Sequence, residues 1–190
     1  MGAARVSIQT QDFDLGAEVA ALRAGHAGVG AVAAFVGTVR DRNGVVGVIS
    51  SGADSSNGGG GGVQSMELEH YPGMTERAIE AMIDDAVERF GIQAARVVHR
   101  VGLLAPLDQI MMVAVTSAHR GSAFQACEFL MDYLKTQAPF WKKEQTCDGA
   151  RWVDARVADD AALLRWGIAA TNATPIAAPI AAPGGEAPPA

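Results

Sequence analysis

Residues 110–144 read IMMVAVTSAHRGSAFQACEFLMDYLKTQAPFWKKE, and the fold turns on this stretch. Ile110 to Val115 is an unbroken apolar run of strand length, without the alternation of a strand that has one wet face. It predicts a strand buried on both sides. The polar corner Thr116-Ser117-Ala118-His119-Arg120-Gly121 follows. Ser122 and Gln125 have capping-box spacing and predict a helix start. Ala123, Ala126, Cys127, Leu130 and Leu134 would form its apolar stripe, with Met131 and Lys135 on the flank. Pro139 disfavours helix at Ala138. Phe140 to Thr146 then reads as a strand with Phe140, Lys142 and Glu144 on one face and Trp141 and Lys143 on the other. Basic residues therefore stand at both ends of one helix.

Upstream, Val6 to Gln9 suits a short strand, and Asp14 can cap a helix over Leu15 to Arg23. Ala31 to Val39 suits a buried strand ending at Arg40. Residues 41–64 hold scattered serines and the glycine run Gly58 to Gly62, which predicts a mobile loop because glycine loses most backbone entropy on ordering. The loop has neither GxxxxGK[ST] nor GxGxxG, so a phosphate-cradling role lacks its motif. Ser65 to Tyr71 alternates as a half-buried strand. Thr75 is placed to cap a helix running to Phe90, which Gly91 closes. Arg96 to Val101 reads as a strand, and Pro106-Leu107-Asp108 as a turn. Downstream, residues 151–155 read as a short strand and 161–166 as a helical turn. From Gly167 onward, five of the eight prolines occur without apolar periodicity, which predicts a disordered tail over 167–190. Hairpin-like and crossover connections are mixed, so the class expected is α+β rather than a doubly wound sheet.

Of the 190 residues 49% are hydrophobic and 19% charged, enough for one domain with a core. A net charge of -6 argues against general nucleic-acid binding through phosphates. No apolar run approaches the ~20 residues that span a bilayer, and no secretory signal begins the chain. Cys127 and Cys147 form no CxxC, so free thiols in a reducing cytoplasm are expected. His70 and His99 belong to no HxxxH or Cys/His cluster, so no metal site is expected.

The basic residues carry the chemistry. His119-Arg120-Gly121 precedes a helix N-terminus, where unpaired N–H groups and the helix dipole favour an anion; a solvated loop is the alternative. Lys135, in a last helical turn, complements the dipole or pairs with Asp132 three residues earlier. Lys142 lies between Trp141 and Lys143. Near other cations its ammonium form is disfavoured and it can serve as base or nucleophile; the alternative is a stem laid over aromatic rings. Arg40, Arg151 and Arg156 extend the pattern toward a receptor for a small anion.

Seven collinear blocks, from Phe35-Val36-Gly37-Thr38-Val39-Arg40 and Leu68-Glu69-His70-Tyr71-Pro72-Gly73-Met74 through His99-Arg100-Val101-Gly102, Thr116-Ser117-Ala118-His119-Arg120 and Met131-Asp132-Tyr133-Leu134-Lys135-Thr136 to Ala138-Pro139-Phe140-Trp141-Lys142-Lys143-Glu144 and Arg151-Trp152-Val153, resemble the catalytic, large subunit of molybdopterin synthase, the MoaE family. The resemblance implies an α/β-hammerhead-like two-layer fold with a mixed, largely antiparallel sheet, over residues 1–157. It implies a cytoplasmic sulfurtransferase that converts cyclic pyranopterin monophosphate to molybdopterin. Sulfur would come from the C-terminal thiocarboxylate of a small ubiquitin-like carrier ending in Gly-Gly, bound to a homodimer to make a heterotetramer. It requires no cofactor or metal, and neither nucleic acid nor membrane. Lys135 and Lys142 would be catalytic, and Phe35, Arg40, His119, Arg120, Met131 and Arg156 would bind substrate. Two features depart from the family pattern: the Gly/Ser-rich loop is longer, and the Pro/Ala tail is additional. A non-catalytic paralogue that binds the carrier or a phosphorylated pterin is the alternative, followed by an unrelated enzyme for a phosphate ligand.

Overall fold

The structure is a computed structural model that describes residues 4–40, 63–146, 149–153 and 165–168. Its elements are β1 (Val6–Gln9), α1 (Leu15–Arg23), β2 (Ala31–Thr38), β3 (Val63–His70), α2 (Met74–Phe90), β4 (Ala94–Arg100), β5 (Gly102–Leu104), β6 (Gln109–Ser117), α3 (Arg120–Thr136), β7 (Phe140–Thr146) and β8 (Gly149–Val153). The α+β class holds, and the strands divide into two four-stranded sheets. One is ordered β1-β4-β6-β2, with β1 parallel to β4 and the other pairs antiparallel; the other is β5-β3-β7-β8, antiparallel throughout.

The apolar run of β6 is explained by what lies on each side of it. Met111, Val113 and Val115 enter the main core with Ile79, Met82, Ile83 and Ala86 of α2 and Ala126, Phe129 and Leu130 of α3. Met112 and Ala114 enter a second core with Phe13, Val98 and the Leu15, Val19 and Leu22 stripe of α1. Successive strand residues point to opposite faces, so a central strand with helices on both sides must be apolar at every position. Arg96 of β4 fixes α1 further, donating to both carboxylate oxygens of Glu18 at 2.8 and 3.1 Å.

A third cluster, Val39, Met66, Leu68 and Leu104 with Ile110 against it, joins the second sheet to one end of the first. The same junction carries a ring stack: His99 of β4 lies 3.8 Å from Phe140 of β7, centroid to centroid, with the planes 14° apart.

Several boundaries differ from expectation. β2 is an edge strand, not one buried on both faces; Val32 and Phe35 remain 37% and 41% exposed. The long loop ends by residue 62, since Val63 and Gln64 belong to β3, and 41–62 lie outside the described residues. Gly73, not Thr75, caps α2: its N–H donates to Glu76 at 2.6 Å, while the Thr75 hydroxyl bonds back to the Tyr71 carbonyl. β5 was not anticipated; Gly102, at φ 84°, turns the chain out of β4. Gly167 and Ile168, assigned to the tail, follow Trp166 onto the helical layer, where Ile168 packs on the main core. Residues 154–164 and 169–190 lie outside the described residues.

Candidate active site

α3 starts at Arg120 with His119 as its N-cap, two residues before the Ser122 start expected. The His119 side chain makes no capping bond, and both His119 and Arg120 are exposed. The early start matters because it puts Arg120, Gly121 and Ser122 in the first turn, where N–H groups have no partner within the helix. The corner itself is set by Gly30. Its N–H donates to the Ser117 carbonyl at 3.0 Å, and a Cβ there would lie 2.3 Å from the Ala118 carbonyl oxygen. Only glycine allows this approach of two backbones.

The other residues assemble elsewhere. β2 pairs antiparallel with β6, so Ala31 sits beside Ser117 while Thr38 sits beside Gln109. Arg40 therefore belongs to the end of the sheet opposite the His119 corner. α3 runs back along β6, which brings Met131 and Lys135 toward the Arg40 end. Val39 packs with Leu68, and Leu68 is the cross-strand partner of Lys142. Arg40, Lys135 and Lys142 are thus grouped at one end of the subunit, with Met131 and Phe140 packed at its core edge. Phe35 lies midway along β2, opposite Val113 on the face that α3 covers. From Arg120 to Lys135 the helix advances about 22 Å at 1.5 Å per residue. One small pterin cannot bridge that distance. Arg156 lies outside the described residues.

Two electrostatic expectations need correction. The close neighbour of Lys142 is not a second cation but Glu144: Nζ lies 2.6 Å from Oε1, with Glu144 only 1% exposed. Strand alternation puts the two on one face and sends Lys143 to the other. A buried carboxylate needs such a partner, because desolvating an ion without compensation costs several kcal/mol. Glu144 is accordingly part of the site, and its signal was in the sequence: a carboxylate two residues from a lysine on one strand face. Asp132 does not pair with Lys135 either. Its Oδ2 accepts from Arg165 Nη2 at 2.7 Å and from Trp166 Nε1 at 2.8 Å.

His99 borders the site through Phe140. Burial pushes its pKa down to about 4, against the opposing effect of its ring nitrogen's bond to the Arg100 carbonyl at 2.8 Å. Cys127 is a buried free thiol, raised to about 11 by the same desolvation; Cys147 lies outside the described residues. Among the described residues no three His, Cys, Asp or Glu side chains gather as a metal site would require, and no helix is long and apolar enough to cross a membrane. Two surface hollows of about 440 and 350 Å³ flank the end of α1, and none of the described site residues lines either of them.

Comparison with known proteins identifies the family and the fold. The chain is 59% identical over 169 residues to the molybdopterin synthase catalytic subunit of Ralstonia nicotianae, covering 89% of this chain and 88% of that one. It superposes on the molybdopterin biosynthesis MoaE protein from Burkholderia ambifaria with a TM-score of 0.69 at 57% identity, covering 87% of this chain and 99% of the other. It also superposes on a molybdopterin synthase structure from Staphylococcus aureus with a TM-score of 0.67 at 26% identity, covering 80% and 98%. The family model described as MoaE protein matches residues 8–137. The family model spans more than half of the chain, and the Ralstonia and Burkholderia relatives are more than half identical over most of it, so the chain belongs to the MoaE family.

Proposed function

We infer that this chain is the sulfur-transferring, catalytic subunit of a molybdopterin synthase. It converts cyclic pyranopterin monophosphate to molybdopterin with sulfur from the C-terminal thiocarboxylate of a small ubiquitin-like carrier, its partner. The observation that carries the reading is the identity to catalytic subunits across nearly the whole chain, joined to a site made of cations. Both reactants are anionic, and a positively charged, partly desolvated end favours each of them.

The two ends of α3 take separate tasks in this reading. His119, Arg120 and the first-turn N–H groups of α3 suit the phosphate region of the pterin. Lys135 and Lys142 suit the thiocarboxylate and the reacting carbon, with Arg40, Phe35, Met131 and Arg156 shaping the same pocket. Glu144 lies within hydrogen-bond reach of Lys142 and holds its Nζ in place, where the lysine can act as acid, base or nucleophile. Since the two ends lie about 22 Å apart along the helix, a second copy must supply one of them. The homodimer follows, with the His119 corner of one protomer meeting the lysine end of its partner, and two carriers complete a heterotetramer. A cytoplasmic location belongs to the same proposal, as does a catalytic domain over residues 1–157 that includes the Gly/Ser-rich loop and is followed by the Pro/Ala-rich tail.

The test is reconstitution. Incubating the protein with thiocarboxylated carrier and cyclic pyranopterin monophosphate should yield molybdopterin. No product, with a carrier shown to bind, sinks the reading.

A further inference from the structure

The segment Arg165–Ile168 crosses the α2–α3 layer and ends in a built set of contacts. The Trp166 ring meets Phe90 and Phe129 edge-on, at 5.6 Å from each and with planes 86° and 87° apart. Arg89 of α2 donates to the Trp166 carbonyl at 2.9 Å. Arg165 reaches Glu128 at 2.9 Å and Asp132 at 2.7 Å, and the Trp166 indole N–H reaches Asp132 at 2.8 Å. Asp132, only 15% exposed as a side chain, therefore gives one oxygen to two donors from far along the chain.

Without those donors, Asp132 has an obvious partner. Lys135 lies three residues on, in the last turn of α3, in the Asp-before-Lys order that helices favour. In the structure the two form no ion pair, and among the described residues Lys135 has no hydrogen-bond or ion-pair partner for its side chain. An ammonium already neutralised by a neighbour attracts an incoming anion less than one whose neighbour is engaged elsewhere.

We propose that Arg165 and Trp166 are positioning residues for Lys135: they claim the Asp132 carboxylate and so keep the lysine available to an anionic ligand. This rests on the reading of Lys135 as a sulfur-transfer residue. Neither strap residue touches substrate. Their action runs through Asp132.

The experiment compares the full-length wild type, the Arg165→Ala/Trp166→Phe variant and the same variant carrying Asp132→Asn. Phenylalanine keeps the ring packing while removing the N–H donor. Two readouts are taken: the rate at which Lys135 is labelled by an amine-reactive reagent at one fixed pH, and molybdopterin formation with carrier and precursor. Once freed, Asp132 pairs with Lys135 and should slow labelling about twofold, the effect of a helical ion pair of a few tenths of a kcal/mol. Turnover should fall by about the same twofold factor, and Asp132→Asn should restore both. A merely structural strap would leave the activity loss unrescued by Asp132→Asn, and that result overturns the proposal, as does unchanged labelling in the double variant. Labelling needs no substrate, so a wild type that makes no molybdopterin would refute the functional reading while the labelling arm still decides the ion-pair claim.

Discussion

Lys142→Ala should damage stability as well as catalysis, and the structure sets the size of the effect. The substitution removes the 2.6 Å partner of a carboxylate that is 1% exposed, from a lysine that is itself 31% exposed. Loss of a charge-assisted hydrogen bond from a buried group costs about 1–3 kcal/mol. The ~3–5 kcal/mol of a fully buried pair is out of reach because water still meets the lysine. At about 2 kcal/mol, a chain of this length should melt roughly 4–8 °C lower. Calorimetry of three variants separates the causes. Lys142→Arg keeps a cation beside Glu144 and should melt near the wild type, yet make no molybdopterin, since guanidinium does not release a proton near neutral pH. Adding Glu144→Gln to Lys142→Ala should recover part of the lost stability, because a neutral amide is cheaper to bury than a carboxylate that has lost its lysine. A Lys142→Ala protein that melts with the wild type, or an active Lys142→Arg protein, would refute this account of the pair.

Three further outcomes follow from the geometry. His99 titrates near 4 when folded against 6.5 otherwise, so the unfolded chain binds more protons between those values; stability is full above pH 6.5, falls toward pH 4 and loses about 3 kcal/mol from this group. His99→Phe, which keeps an aromatic face on Phe140, should flatten that part of the pH profile in chemical denaturation, and an identical profile contradicts it. Gly30→Ala drives a Cβ to 2.3 Å from the Ala118 carbonyl oxygen and should cost about 1–3 kcal/mol while displacing the His119 corner, seen as a raised KM for the pterin; unchanged melting and KM would exclude the close approach. Leu107 holds φ at 77° and is 87% exposed, so Leu107→Gly should stabilise by about 0.5–1 kcal/mol in urea titrations, and a loss of stability would show that its side chain contributes more than its backbone costs.

The elements that alternate or cap locally were legible in the residues. Asp14 caps α1 through a 2.7 Å bond to the Ala17 N–H, and β1 and α1 have their expected limits. β6 is buried on both faces because its composition left no other arrangement. What escaped depended on tertiary partners. An apolar edge strand such as β2 has the composition of a central one, and only the sheet order tells them apart. α3 starts at Arg120, after the corner that the Gly30–Ser117 contact fixes, while the Ser122 spacing pointed further along. The face that Glu144 shares with Lys142 was legible, but its burial was not: that follows from its register partner, Met66, in the apolar junction between the sheets. The partners of Asp132 come from 33 and 34 residues away, beyond any local pattern. The cationic residues stood out in the sequence as charges gathered at element ends and within the family-like blocks, and their roles belong to the proposal above. Their division between two ends of α3 was legible as well; that Arg40 falls at the lysine end needed the strand register.

Subunit complementation tests that division most directly. Lys142→Arg and Arg120→Ala chains, each inactive alone, are unfolded and refolded together with carrier and precursor supplied. If each site draws its lysines from one protomer and its His119-Arg120 corner from the partner, half of the random dimers are mixed, and each mixed dimer keeps one intact site. Molybdopterin should then form at about a quarter of the wild-type rate. A mixture as inactive as its two components would contradict the shared site and place every residue of it within a single chain.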